Sequence, residues 1–327
     1  MSTSTVSNVL NGRHGEMTAE TLERVLAAIE TLAYRPNRLA QGLATNSTRT
    51  IALVVSELTN TLYPPVLLGA EAACRESDFA LLLANAPDAE AERRTIDVLL
   101  DKRVSGIVLF STSALDVSDA HLARAAAAGT PVVAINRYPA GDSPLGRVQF
   151  DHLGGAREAV RHLLALGHRR IAHIAGPAAR FTGRQRRDGY EAALREAGIV
   201  PVERLVAEGD YSFDAGRALL ERLWAQRPTA VFVGGDVMAL GALRAARDLG
   251  LRAPDDLSLV AFGDPDAVRY ATPGITTVDL PVAAAGRLAT EMVLRRVGGD
   301  GHDAKEVALL EPALVVRETT APPPSPE

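Results

Sequence analysis

One cysteine, Cys74, stands among 327 residues. The chain can therefore close no disulfide within itself, and nothing in it points to an oxidising compartment. Cys74 falls in an Ala-rich helical stretch and reads as a small buried residue, not a nucleophile. Long apolar runs are missing too. None approaches the roughly 18 residues of a membrane span, and the Ser/Thr-rich N-terminus has no apolar signal core. The expectation is a cytoplasmic protein with no membrane partner. There is no excess of positive charge: the net charge is −5, which excludes a general nucleic-acid coat and confines any DNA contact to a local patch. Common enzyme signatures are absent as well. No G-x-G-x-x-G follows the first strand, and there is no G-x-x-x-x-G-K-[ST]. There is no G-x-S-x-G elbow and no C-x-x-C, and the seven histidines include no H-x-x-x-H pair. The chain is expected to be no enzyme, with no cofactor and no metal.

What is present is a globular composition, 47% apolar and 23% charged, over a length that suits two domains or more. Residues 2–10 read as a short helix. Val6, Val9 and Leu10 form an apolar stripe at i, i+3, i+4, with Ser2 placed to cap it and Gly12 to close it. A second helix is expected over about 18–33, its stripe of Leu22, Val25, Leu26, Ile29 and Leu32 packing back on the first. Residues 1–49 hold five Arg against four Glu, a weakly basic balance. Over 50–318, apolar strands alternate with amphipathic helices, the pattern of parallel sheets covered on both faces. About ten such units exceed one doubly wound sheet, so two similar α/β lobes are expected, with ligands beyond the carboxyl ends of the strands.

Between these regions lies Tyr34-Arg35-Pro36-Asn37-Arg38-Leu39-Ala40-Gln41-Gly42-Leu43. Pro36 stops the preceding helix, and Asn37 can cap a short new one over about 37–43. The residues alone favour an ordinary interdomain linker. The pattern Y-x-P-N-x-x-A-x-x-L, preceded by T-V-S-x-V-L-N-G, resembles the hinge and recognition helix of the lac-repressor (LacI/GalR) family of transcription factors. The similarity runs along nearly the whole chain.

The resemblance implies an α/β fold of two doubly wound parallel-sheet lobes, like periplasmic binding proteins, preceded by a partial all-α helix-turn-helix segment. Residues 1–49 would form the DNA-binding part with its hinge helix at 37–43, and 50–319 the effector-binding and dimerisation domain. The N-lobe would comprise about 50–149 and 280–306, and the C-lobe about 150–279 and 307–319, with crossings near Phe150, Leu280 and Val307. Residues 320–327, Pro-rich, are expected to be disordered. Lacking a heptad there, the chain is expected to be a homodimer. Thr3, Ser4 and Asn8 would face base edges in a palindromic operator, Thr5 and Ser7 phosphates. Asn37 and Arg38 would belong to the hinge interface, and Leu43 would wedge into the minor groove. Met1 stands where the family usually has Val, and GTG encodes both valine and a bacterial start. The expectation is therefore a natural start upstream, the helix-turn-helix here being truncated. A solute-binding protein of the periplasmic type is the rival reading; the missing signal core and the hinge motif speak against it.

The same resemblance marks an effector site. Asn60-Thr61-Leu62-Tyr63 matches the N-P-x-x segment after the first strand, so Leu62 and Tyr63 should line the N-lobe wall. In the loop 176–184, Arg184 falls where sugar-responsive members place an arginine on the ligand. Arg180 and Thr182 fall where the family's purine repressor has its ligand-binding Arg and Thr. Tyr211, in the G-D-aromatic segment, should stack on the ligand. Gly235-Asp236 replaces the usual Asn-Asp, Phe262-Gly263-Asp264 the usual aromatic-Asp-Asp, and Leu280 a common Gln. The resemblance implies a repressor whose effector is a sugar or another small metabolite; with Arg180 and Arg184 as cations and Asp264 as acceptor, an anionic or amphipathic one fits better than a neutral polyol. His168, in the family's G-H-R-x-I segment, reads as structural.

Overall fold

The computed structural model describes residues 3–10, 17–32, 48–58, 60–110, 120–138, 145–299 and 305–324. The chain divides into two compact units, 1–49 and 50–327.

The first unit contains α1 (Thr3–Leu10) and α2 (Ala19–Thr31). Thr18 caps α2, its hydroxyl accepting from the Thr21 amide at 3.3 Å, as Thr at an N-cap does to satisfy an orphan donor. Val9 and Val25 are buried. The apolar stripe expected on α2 is only partly covered: Leu26 and Leu32 are 50% and 75% exposed, because an eight-residue helix is too short to cover thirteen residues of partner. The expected hinge helix at 37–43, with Asn37, Arg38 and Leu43, lies outside the described residues, as do Ser2 and Gly12.

The second unit holds two six-stranded sheets. In the N-lobe, β1 (Thr50–Val55), β2 (Ala80–Asn85), β3 (Gly106–Phe110), β4 (Val132–Ile135) and β5 (Gly146–Phe150) are joined by β11 (Val307–Leu310), in the order β11-β5-β4-β3-β1-β2. All its pairings are parallel. In the C-lobe, β6 (Ile171–Ala175), β7 (Val206–Glu208), β8 (Ala230–Val233), β9 (Ser258–Phe262), β10 (Thr276–Asp279) and β12 (Ala313–Val315) run in the order β12-β10-β9-β8-β6-β7, β12 alone antiparallel. The central strands β1, β3, β4, β6, β8 and β9 are buried almost throughout. That is why they read as continuous apolar runs and not as alternations.

Helices α3 (Tyr63–Glu76), α4 (Ala89–Asp101), α5 (Ala120–Ala127) and α11 (Val282–Val297) cover the N-lobe. Helices α6 (His152–Ala165), α7 (Phe181–Glu196), α8 (Phe213–Trp224), α9 (Asp236–Asp248) and the short α10 (Asp266–Arg269) belong to the C-lobe. Neighbouring helices meet at glycines. A Cβ on Gly69 of α3 would sit 2.0 Å from the Ala283 carbonyl of α11, and one on Gly241 of α9 2.0 Å from that of Phe213 on α8.

The chain leaves the N-lobe after Phe150 and returns to it at Leu280–Pro281. The third crossing differs from the expectation near Val307. Residues 307–310 form β11, paired with β5 from Val307 opposite Arg147 to Leu310 opposite Phe150. The C-lobe is re-entered only after Glu311 and Pro312. Pro312, lacking an N–H, ends the ladder. The tail also departs from expectation over 320–324. The Thr320 hydroxyl meets His162 Nε2 at 2.9 Å, and the Ala321 carbonyl accepts from Ser258 at 3.0 Å and lies 2.9 Å from His168 Nε2. Polar partners, not apolar burial, hold this segment, so its Pro-rich composition hid the anchoring. His168 is structural here, buried and also bonded to the Thr229 hydroxyl.

Candidate functional site: the cleft between the lobes

The carboxyl ends of both sheets face a cavity of about 360 Å³ within the second unit. The N-lobe lines it with Glu57, Asn60, Thr61, Leu62, Phe110, Asn136 and Phe150. The C-lobe contributes Arg180, Thr182, Arg186, the run Asp210–Ser212, the run Gly235–Val237, Phe262 and Gly263, with Leu280 at the second crossing. Loops and helix starts that follow the strands supply most of this wall, as expected at the carboxyl edge of a parallel sheet.

Four of the seven expected residues meet in this cleft: Leu62, Arg180, Thr182 and Tyr211. Tyr211 sits at φ +72, a conformation a bulky residue rarely holds without support. Its ring lies over two glycines: a Cβ would come within 2.1 Å of the ring hydroxyl at Gly176 and 2.9 Å of the ring edge at Gly235. The hydroxyl is 3.5 Å from Thr182 Oγ1, and the Arg180 guanidinium carbon is 5.7 Å from the ring centroid. Gly235, read from the sequence as a lost polar grip, thus makes room for the aromatic platform.

The other three do not line the cavity. Arg184 is exposed on α7. Arg186, two residues on, is the arginine that enters the cleft; at 3.6 residues per turn the two point about 200° apart. Tyr63 is buried behind the wall, its hydroxyl 2.6 Å from Ser56 Oγ and its ring edge-on to Phe110 at 4.9 Å. Burial raises its pKa, so it stays a neutral phenol. Asp264 is turned away from the cleft. Gly263, at φ +107, redirects the chain after β9, and the Asp264 carboxylate pairs with both terminal nitrogens of Arg317 at 2.7 Å.

Arg186 is 7% exposed. It donates to the Gly234 carbonyl at 2.6 Å, lies 3.4 Å from His152 Nδ1, and sits with its guanidinium carbon 4.0 Å from the Phe262 ring centroid. Burial lowers its pKa, offset by Tyr211 and Asp236 nearby, yet a guanidinium keeps its charge in proteins. The sequence did carry a signal for it. Thr182, Gly183, Arg186, Gly189, Tyr190, Ala193 and Leu194 are the buried face of α7, and Arg186 is the one cation on that helical stripe. Asp236, the first residue of α9, accepts from the Thr61 hydroxyl across the cleft at 2.7 Å. Asn136 of the N-lobe meets His152 of the C-lobe at 2.8 Å. These two contacts join the lobes across the cleft.

Among the described residues no group of His, Cys, Asp and Glu could hold a metal ion, and no helix is long and apolar enough to cross a membrane.

Residues 1–37 match the family of bacterial regulatory proteins known as the lacI family, and residues 160–320 match the periplasmic binding protein-like domain. The chain is 36% identical to the HTH-type transcriptional regulator CelR of Thermobifida fusca, over 96% of this chain and 94% of that protein. This chain belongs to the lacI family. Two solved structures resemble it over 97% of its length and 95% of theirs. One is the transcriptional regulator CelR–cellobiose complex (34% identity, TM-score 0.76), the other the lac repressor dimer bound to operator and the anti-inducer ONPF (31%, 0.84). As a lacI-family member the protein is a DNA-binding transcriptional regulator controlled by a small molecule, and not an enzyme. Of the eight candidate DNA-contacting residues, Thr3, Ser4, Thr5, Ser7 and Asn8 fall within α1, and Asn8 is exposed; Asn37, Arg38 and Leu43 lie outside the described residues.

Proposed function

We propose that this regulator is a cytoplasmic repressor, acting as a homodimer on a palindromic operator, and that its effector is a neutral polyhydroxylated molecule of sugar type. The composition of the cleft carries this reading. Two guanidinium groups, Arg180 and Arg186, face three carboxylates, Glu57, Asp210 and Asp236. This balance offers no surplus of cations, which favours a neutral effector over the anionic or amphipathic one expected from the sequence. Carboxylates accept from hydroxyls and guanidinium groups donate to them, while Tyr211, Phe150 and Phe262 offer apolar faces to a pyranose or furanose ring. The cavity lies near the lower end of the roughly 300–1,000 Å³ typical of ligand pockets, which suits a ligand of one or two sugar units. Cellobiose in the CelR complex supports the same class. Thr3, Ser4 and Asn8 of α1 would read bases and Thr5 and Ser7 phosphates, with Asn37, Arg38 and Leu43 contributing hinge contacts to the operator.

Calorimetric titration with cellobiose, ribose and the aldonic acid of each tests the effector class. A neutral sugar should bind and its acid should bind at least about tenfold more weakly, since the added carboxylate meets like charges worth more than 1.4 kcal/mol. Preference for an acid would overturn the reading. A gel shift on operator DNA with and without the bound sugar then reports whether the two sites are coupled.

A further inference from the structure

We propose that His152 is the positioning residue of the effector site: neutral, with its proton on Nε2, it ties the N-lobe to the guanidinium of Arg186. This deepens the reading above and rests on Arg186 meeting the effector.

His152 opens α6 immediately after the first crossing between the lobes and is 2% exposed. Its two ring nitrogens face different lobes. Nε2 lies 2.8 Å from Asn136 Oδ1, at the end of β4, and Nδ1 lies 3.4 Å from Arg186 Nη2, on α7. A guanidinium can only donate. Nδ1 must therefore be the acceptor, which leaves the proton on Nε2 to be donated to Asn136. The tautomer follows from the chemistry of the neighbours. Arg186 continues the relay to the Gly234 carbonyl at the end of β8.

Asn136 is held for this task. It sits at φ +56, a region in which Asn is among the residues most often found, and its backbone N–H donates to the Val148 carbonyl at 2.9 Å. Opening the cleft would break the Asn136–His152 contact and release the ring. Arg186 would then lose the acceptor that aims one of its terminal nitrogens. Lobe closure and the posture of the gripping guanidinium thus become one event, a bistable arrangement in which an effector can bias closure.

The charge state is consistent with this. The groups facing the ring are Arg186 from α7, Asn136 and Tyr138 from the N-lobe, and the rings of Phe150 and Phe262. None is a carboxylate. Burial, with the adjacent Arg186 charge, holds the imidazole pKa well below its ordinary value. A second proton on Nδ1 would set charge against charge.

Nitrogen-15 NMR of histidine-labelled protein tests the tautomer without any ligand. His152 should be the Nε2–H form and should not titrate between about pH 5 and 8, where an unperturbed His does. An Nδ1–H form, or titration in that window, overturns the proposal. Calorimetry with cellobiose as probe tests the positioning role. His152→Leu should weaken binding about tenfold or more, the value of one hydrogen bond to a charged group. His152→Gln can accept from Arg186 and donate to Asn136, so it should recover most of that loss. Leu binding as tightly as wild type, or Gln failing to recover, overturns it. Should His152→Leu not fold, Asn136→Ala removes the N-lobe acceptor together with a wall group of the cavity and should weaken cellobiose binding; unchanged affinity there is equally fatal, and the tautomer measurement separates the two roles. If wild type binds no cellobiose, the sugar reading has failed for that probe, and the tautomer measurement still decides the state of His152.

Discussion

Arg184 and Arg186 share a helix but not an environment, and the difference predicts opposite outcomes on mutation. Arg184 is exposed on α7, whereas Arg186 is buried against Phe262 and bonded to Gly234. Arg184→Ala should leave sugar affinity within about twofold, as surface changes lie within about 0.5 kcal/mol. Arg186→Ala should weaken binding by about ten- to a hundredfold, since hydrogen bonds to charged groups contribute about 1.5–3 kcal/mol each. Calorimetry on both variants checks this, and a strong loss from Arg184→Ala would return the site to the sequence-based assignment. Tyr211 provides a second case. Tyr211→Phe keeps the ring over Gly176 and Gly235 and loses only a 3.5 Å contact to Thr182, so binding should barely change. Tyr211→Ala should cost about 0.5–1.5 kcal/mol of ring contact beyond its area, read by the same titration.

At the level of elements, much was legible in the sequence because periodicity survives without tertiary knowledge. The strands β1, β3, β6, β8 and β9 read as apolar runs between amphipathic helices. The edge strand β2 and the short β4 and β7 were legible too, whereas β5, β11 and β12 were not. β5, Gly-Arg-Val-Gln-Phe, follows a Gly/Pro loop and alternates only because one face is covered. β11 and β12 are strand pieces of four and three residues flanking Pro312, so the third crossing was misplaced. In the site, motif matching reached Leu62, Arg180, Thr182 and Tyr211 of the lining but put Arg184 in the place of Arg186, and it gave no sign of Asn136 and His152, whose pairing spans sixteen residues and two lobes. Helix contacts give a prediction at this scale. Gly69→Ala forces a methyl onto the Ala283 carbonyl, where α3 meets α11, and overpacking of that kind costs about 1–3 kcal/mol. Gly298→Ala, whose nearest neighbours lie 3.4 Å away, should cost little. Urea unfolding of the two variants separates them, and equal midpoints would show that α3 can shift freely.

Over the whole molecule, buried histidines set the response to acid. His173 lies between the rings of Tyr190 and Phe232, with Nδ1 donating to the Phe232 carbonyl at 3.0 Å. Burial pushes its pKa down to about 4. Burial likewise lowers His152, His162 and His168. Each is neutral in the fold and takes up a proton near pH 6.5 once unfolded, so the unfolded state binds more protons below that pH. Above about pH 6.5 these groups have no effect on stability; below it, stability falls as pH falls. For His173 the loss is complete near its folded value of about 4 and amounts to about 3 kcal/mol. Asp279, raised by burial and by Asp264, works in the opposite direction, while Glu92 and Glu191, held below the usual carboxylate range by their His and Arg partners despite burial, add to the loss near pH 4. The melting temperature should therefore drop steadily from about pH 6.5 to pH 4. His173→Phe keeps an aromatic ring in the stack and removes the titrating group. It should lower stability at neutral pH through the lost hydrogen bond, by about 1 kcal/mol, and flatten the acid limb by about one proton. Thermal melts of the two proteins across this range measure both slopes, and parallel limbs would mean that His173 is already protonated in the fold.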